Sequence, residues 1–322
     1  MNTYLLITSI VIFLCILLNR VSNRIGIPAL LAFIVLGMLF GSDGIMKIDF
    51  DNYAFAEQIC STALIFIMFY GGFGTNWQRA KAVAVKSVLL STIGVIITCF
   101  LTGLFCHFAL NMSLEISFLL GALISSTDAA SVFSILRSKK LNLKYNTASL
   151  LEVESGSNDP CAYMLTVAFI AISQGSASPG NIAILIVKQL AFGILFGALI
   201  AKLSIILLRY IRFKSAGFDA IFMVGIALIS YALPAYFDGN GFLSAYIFGI
   251  VLGNTEIENK KNLVNFFDGI TGLMQMLIFF LLGLLSFPSR LPQVIVPALL
   301  IFIWLTFVAR PLSVALVLTP FR

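Results

Sequence analysis

Two aspartates in this sequence, Asp128 and Asp159, stand inside long apolar stretches. Asp128 belongs to the run Ser125-Ser126-Thr127-Asp128-Ala129-Ala130-Ser131. Asp159 closes the run Glu154-Ser155-Gly156-Ser157-Asn158-Asp159, and Pro160 follows it. A carboxylate in hydrocarbon is costly, and such residues mark ion paths. Two carboxylates at one depth repel when both are ionised, and burial disfavours the charged form as well. One of them can then hold either a proton or a small cation, so a single site has two competing occupants. A hard monovalent cation needs several oxygens. Asp159, Asp128, the hydroxyls of Ser155 and Thr127, and a backbone carbonyl could supply them.

Local sequence says how such a site would be held. Four hydroxyls lie within the seven residues 125–131. They can satisfy carbonyls if the helix unwinds there, and half-helix ends then present dipoles to the ion. Positions 154, 155, 158 and 159 share one helical stripe. Pro160 has no N–H for the carbonyl of Gly156, which predicts a kink and a spare acceptor beside Asp159. Arg310 is the one arginine well inside an apolar stretch, at a depth similar to that of Glu154. An unpaired buried arginine is very costly, so the two are expected to form a structural ion pair.

The elements that carry these residues must lie in a bilayer. Of 322 residues, 60% are hydrophobic and 11% are charged; a soluble domain has roughly a quarter charged. Apolar stretches bounded by charges or turn residues give eleven spans, near 4–19, 27–41, 57–75, 84–110, 114–136, 147–174, 181–211, 218–237, 241–254, 264–286 and 294–319. The second and ninth are short and glycine-rich, which suggests interrupted or tilted helices. Counted along helices of ordinary rise, Asp128 lies roughly 21 Å from the outer end and Asp159 roughly 18 Å from the inner end. Their depths therefore match, and the pair is expected to be buried at mid-membrane.

Alternate loops carry the basic residues: Arg20 and Arg24; Arg79, Lys81 and Lys86; Arg137, Lys139, Lys140 and Lys144; Arg209, Arg212 and Lys214; Lys260 and Lys261. By the positive-inside rule the N-terminus is outside. The net charge of +6 thus reflects inner loops, and its scatter over short loops excludes nucleic-acid binding. The first twenty residues lack a basic n-region and a small-residue cleavage site, so they read as a retained first helix. The five cysteines, Cys15, Cys60, Cys99, Cys106 and Cys161, have no metal-ligand spacing and read as small buried hydrophobes.

A weak repeat is visible. Leu31-Ala32-Phe33-Ile34 resembles Ser244-Ala245-Tyr246-Ile247, and Phe66-Ile67-Met68-Phe69-Tyr70-Gly71 resembles Ile278-Phe279-Phe280-Leu281-Leu282-Gly283. A shift of seven spans is odd, so the second copy would lie inverted in the membrane, as in many secondary transporters. The transmembrane domain then divides into a first repeat of about 4–174, a linking span of about 181–211 and a second repeat of about 218–322. Span five would have its partner in a twelfth span. The chain is therefore expected to be part of a longer transporter, truncated after eleven spans.

Thr127-Asp128 in an interrupted helix, then Glu154-Ser155, Asn158-Asp159 and Pro160 in the next, together resemble the monovalent cation/proton antiporter superfamily. The Asn-Asp pair resembles its CPA1 branch, the NhaP and NHE type. With Tyr70-Gly71-Gly72 and Ala309-Arg310-Pro311, the set is most similar to the bacterial NhaP-type potassium/proton antiporters of the CvrA group. The resemblance implies an all-α, polytopic, inverted-repeat fold in a bacterial inner membrane. It implies alternating-access, electroneutral exchange of K+ or Na+ for H+, with Asp159 as the exchanging carboxylate. Thr127, Asp128, Ser155 and Asn158 would line the ion site, and Glu154 and Arg310 would be the buried pair. It also implies a homodimer among membrane lipid, with a cytoplasmic regulatory domain in the full-length protein. No cofactor is implied beyond the transported ions. Tyr70 stands where some relatives carry a glutamate.

Other classes fit less well. An intramembrane aspartyl protease would need a Gly-x-Gly-Asp element, which neither aspartate has. A potassium channel would need a filter sequence of the Thr-Val-Gly-Tyr-Gly kind, which is absent. The remaining alternative is a sodium-coupled organic solute carrier of similar inverted-repeat fold, which would need a roomier polar cavity.

Overall fold

The computed structural model describes residues 2–25, 28–128, 143–175, 178–211, 217–257 and 259–321. Among these the regular structure is helical throughout. Eleven main stretches follow in order: α1 (Asn2–Ile25), α2 (Ala29–Phe40), α3 (Tyr53–Gly74), α4 (Ala84–Leu110), α5 (Leu114–Ile124), α6 (Thr147–Ser173), α7 (Pro179–Tyr210), α8 (Phe218–Tyr236), α9 (Gly241–Gly253), α10 (Lys260–Leu284) and α11 (Pro288–Phe321). One helix falls at each expected span. Seven of them, α1, α3, α4, α7, α8, α10 and α11, are long and apolar enough to cross a membrane. α6 is as long, at 27 residues, but carries Glu152, Glu154 and Asp159. α2 and α9, with 12 and 13 residues, reach only about 18–20 Å at helical rise. Neither crosses a core of about 30 Å unaided.

The bilayer's role as solvent is visible on the surface. Leu5, Leu6 and Phe13 on α1, Phe108 on α4 and Val296, Phe302 and Phe307 on α11 are all exposed. In water this much open apolar area would drive association. The cysteines are free thiols, and all are buried except the half-buried Cys60.

The chain forms two compact units. The first is Met1–Ile67 with Asn265–Ile295; the second is Met68–Val264 with Val296–Arg322. In the first, Val11 and Cys15 of α1, Phe33, Leu36 and Phe40 of α2, and Leu281 and Leu284 of α10 make the core. A loop tie closes it: Asp43 accepts from the Ser289 hydroxyl and from the Ser289 N–H at 3.2 Å. These two bonds hold the Asp43 carboxyl below the usual aspartate range, and Arg290 adds to the effect. In the second unit, Phe69 stacks on Phe248 with centroids 5.0 Å apart, and Val95 packs with Cys161, Ala162 and Met164.

One backbone contact occurs in both units. In the first, Gly37 of α2 and Gly41 just past its end lie against the backbone of Phe280, Gly283 and Leu284 on α10. In the second, Gly249 and Gly253 of α9 lie against the backbone of Phe69 and Phe73 at the end of α3, while Gly72 meets Tyr246 and Ile250. The pairs correspond one to one: Gly37 with Gly249, Gly41 with Gly253, Gly283 with Gly72. The glycines of α2 and α9 therefore do not interrupt their helices, as the sequence suggested. They let two backbones approach where a side chain would separate them. The matching glycine on α3 is Gly72 and not Gly71, one residue from the register that sequence similarity suggests.

This contact has a measurable consequence. A methyl group on Gly249 would sit 2.9 Å from the Phe73 nitrogen and closer still to the Phe69 carbonyl. Backbone cannot yield as a side-chain tip can. Gly249→Ala is expected to cost about 1–3 kcal/mol of overpacking, seen as a lower melting temperature in detergent. An unchanged melting temperature would mean that α9 and the end of α3 separate without penalty.

Two helices carry wide π-turns that the sequence did not announce, Leu90–Gly94 in α4 and Leu305–Ala309 in α11. The second has a chemical cause. Pro311 offers no N–H to the carbonyl of Phe307, so the hydrogen-bond ladder widens just before Arg310. The two helices meet there: the Ser313 hydroxyl donates to the Gly94 carbonyl at 2.8 Å, and Trp304 Nε1 donates to Leu101 at 3.3 Å.

Candidate functional site

The site lies wholly within the second unit, where α5 stops. α5 ends at Ile124, and Ser125 to Asp128 leave the helix. The expected interruption is therefore present on its first side. The rest of that span, including Ala129, Ala130 and Ser131, lies outside the described residues, as do Arg137, Lys139 and Lys140. α6 continues through Pro160, and its positions 154, 155 and 158 are buried.

The freed segment lies against the polar stripe of α6. The Ser126 hydroxyl donates to Asp159 Oδ1, and Asn158 Oδ1 lies 3.0 Å from the same hydroxyl. Asn158 Nδ2 donates to Thr127 Oγ1 at 2.5 Å and approaches Glu154 Oε1 at 3.4 Å. The Thr127 hydroxyl donates in turn to Ser155 Oγ at 3.2 Å, and that of Ser155 points to Glu154 Oε2 at 3.5 Å. Arg310 closes the network. Its Nη2 donates to Glu154 Oε1 at 2.9 Å, and its Nη1 donates to the Ser125 carbonyl at 3.2 Å. The side chain of Glu154 is 8% exposed and that of Arg310 is 23% exposed. One guanidinium thus fixes both the α6 carboxylate and the end of α5. Asn158, fully buried, has its amide oriented by partners on both sides.

Six of the seven residues singled out from sequence are therefore joined by hydrogen bonds: Thr127, Glu154, Ser155, Asn158, Asp159 and Arg310. Asp128 differs. It lies within electrostatic range of Asp159, but it is exposed, and Asp159 is half-buried. The two carboxylates thus differ in how far the protein itself covers them. α5 ends early, and once the chain leaves the helix at Ser125 the hydroxyl of Ser126 faces Asp159. Sequence reasoning missed Ser126 as a contact residue. It also did not foresee that Arg310 takes the Ser125 carbonyl. The hydroxyl run was the available signal, but helical spacing does not apply to a chain that has unwound.

A carboxylate held by a hydroxyl and flanked by a buried amide, where one helix ends and a proline weakens the next, has the make-up of the broken-helix sites found in secondary transporters. Comparison with known proteins agrees. The chain belongs to the sodium/hydrogen exchanger family, whose transmembrane-region model matches residues 9–322. It is 38% identical over its whole length to the K(+)/H(+) antiporter NhaP of Alkalimonas amylolytica and 36% identical to the K(+)/H(+) antiporter NhaP2 of Shewanella sp. strain MR-4. It spans 56% of the length of each. The fold matches the sodium proton antiporter MjNhaP1 of Methanocaldococcus jannaschii with a TM-score of 0.84 at 24% identity, over 99% of this chain and 79% of the other.

Proposed function

We propose that this chain is the transport domain of a secondary transporter that exchanges K+ or Na+ for H+ at Asp159, without net charge movement. The observation that carries this reading is the placement of Asp159: one carboxylate oxygen is held by Ser126 at a helix break, beside the Asn158 amide. A proton and a monovalent cation are alternative occupants of such a group. Asp128, Thr127, Ser155 and Asn158 line the ion site; Glu154 and Arg310 are the structural pair that keeps the α5 end in register with α6. The network is built from short side chains bonded to one another, which suits a bare or partly hydrated ion better than an organic solute.

Alternating access supplies the transport cycle, with one cation leaving as one proton enters. The doubled glycine contact supports a division into a first repeat of about 4–174, a linking span of about 181–211 and a second repeat of about 218–322. In the cell the protein sits in a bacterial plasma membrane with its N-terminus outside, as a homodimer, and the full-length form carries a cytoplasmic regulatory domain. The test is direct. In everted vesicles holding the full-length protein, added K+ or Na+ should dissipate an imposed pH gradient. A gradient that survives both cations, and collapses instead with an organic substrate and sodium, overturns the reading.

A further inference from the structure

α9 carries Tyr246, which is 3% exposed. Its hydroxyl lies against Gly156 of α6: a methyl group on Gly156 would sit 2.9 Å from that oxygen and 3.0 Å from the ring. Gly156 stands one helical turn before Asp159, and it is the residue whose carbonyl Pro160 cannot serve. Glu152 and Asp159 are both near enough for their charges to act on Tyr246. The hydroxyl itself has no hydrogen-bond partner among the described residues. Thr75 is near enough to act on it, and the Thr75 hydroxyl donates to the Gly71 carbonyl at 2.9 Å.

A buried hydroxyl without a partner keeps its full desolvation penalty. Phenylalanine would fill the same volume without that penalty. The ring is also not free to turn toward another partner, because α9 is fixed at both ends of the contact. Asn240 Nδ2 donates to the Pro160 carbonyl at 3.0 Å, while Asn240 Oδ1 accepts from the Leu243 N–H at 2.9 Å. At the other side, Gly249 sits on the end of α3. A fixed, unspent dipole therefore faces the α6 segment that carries the ion site.

We infer that Tyr246 is a further ion-positioning residue: its hydroxyl is an outer oxygen ligand that the cation, still partly hydrated, meets on the α9 side of Asp159. This rests on the exchange activity proposed above. The experiment uses the full-length protein in everted vesicles, with K+ and Na+ as probes. Tyr246→Phe is expected to raise the half-saturating cation concentration about threefold to tenfold, the effect of one lost neutral hydrogen bond, and to lower the maximal rate by less. Its melting temperature in detergent should not fall. Gly156→Ala provides the second variant. Its methyl group displaces the hydroxyl, so it should raise half-saturation in the parent and add little to Tyr246→Phe. An unchanged cation dependence in Tyr246→Phe, with a higher melting temperature, overturns the inference and makes the hydroxyl an idle burden. A parent that shows no cation-dependent proton movement overturns the exchange reading itself, and the two failures are thereby separate.

Discussion

Asp159→Ala is expected to reduce cation-dependent dissipation of a pH gradient to the level of vesicles that lack the protein, while the protein still accumulates in the membrane. Accumulation should persist because Asp159 is half-buried and bonded through one hydroxyl, not built into an ion pair. Ser126 and Asn158 lose an acceptor and a neighbour, but both are close enough to bond each other at 3.0 Å. What disappears is the carboxylate to which exchange is assigned; Glu154 stays paired with Arg310, and Asn158 does not titrate. Exchange that continues in Asp159→Ala would move the chemistry to Asp128 or elsewhere.

The second large effect is on stability. Arg310→Ala leaves the Glu154 carboxylate buried without its cation, and breaking such a pair from one side typically costs about 3–5 kcal/mol. It also frees the Ser125 carbonyl, which Arg310 holds at 3.2 Å, so the end of α5 loses its anchor. Glu154→Ala should destabilise less. The cation it leaves behind is on the more exposed side chain, 23% against 8%, and that cation keeps the Ser125 carbonyl. Melting temperatures of the two purified variants give the order: Arg310→Ala lowest, Glu154→Ala intermediate, parent highest. Equal stability of Arg310→Ala and parent would mean that the pair contributes nothing to holding α5 and α6 together.

Several features of the molecule are open to reading from residues alone. Charge alternation and apolar length locate a helix at every expected position, because a bilayer leaves few other ways to satisfy a backbone. The cost of a lone buried arginine points from Arg310 to Glu154 before any coordinates exist. Stripe spacing on α6 groups 154, 155, 158 and 159 correctly, since the helix runs unbroken through Pro160. The limits appear where helical spacing stops applying. Beyond Ile124 no periodicity says which hydroxyl faces α6, so Ser126 goes unnoticed. Glycines in α2 and α9 read as breaks, although they mark close backbone contact, which depends on the partner helix and not on the local sequence. The π-turn before Arg310 needs both the Pro311 vacancy in the ladder and a neighbour, α4, for the widened turn to pack against. Tyr246 is invisible for the same reason: only packing shows that its hydroxyl lies against Gly156 without a partner.

The central claim is that one carboxylate takes either a proton or a monovalent cation. The most direct measurement is proton release from the purified full-length protein in weakly buffered detergent solution as K+ or Na+ is added. The account predicts that saturating cation releases protons in step with its own binding, and that Asp159→Ala binds no cation and releases none. Cation binding with no accompanying proton release, or release that survives in Asp159→Ala, would contradict it.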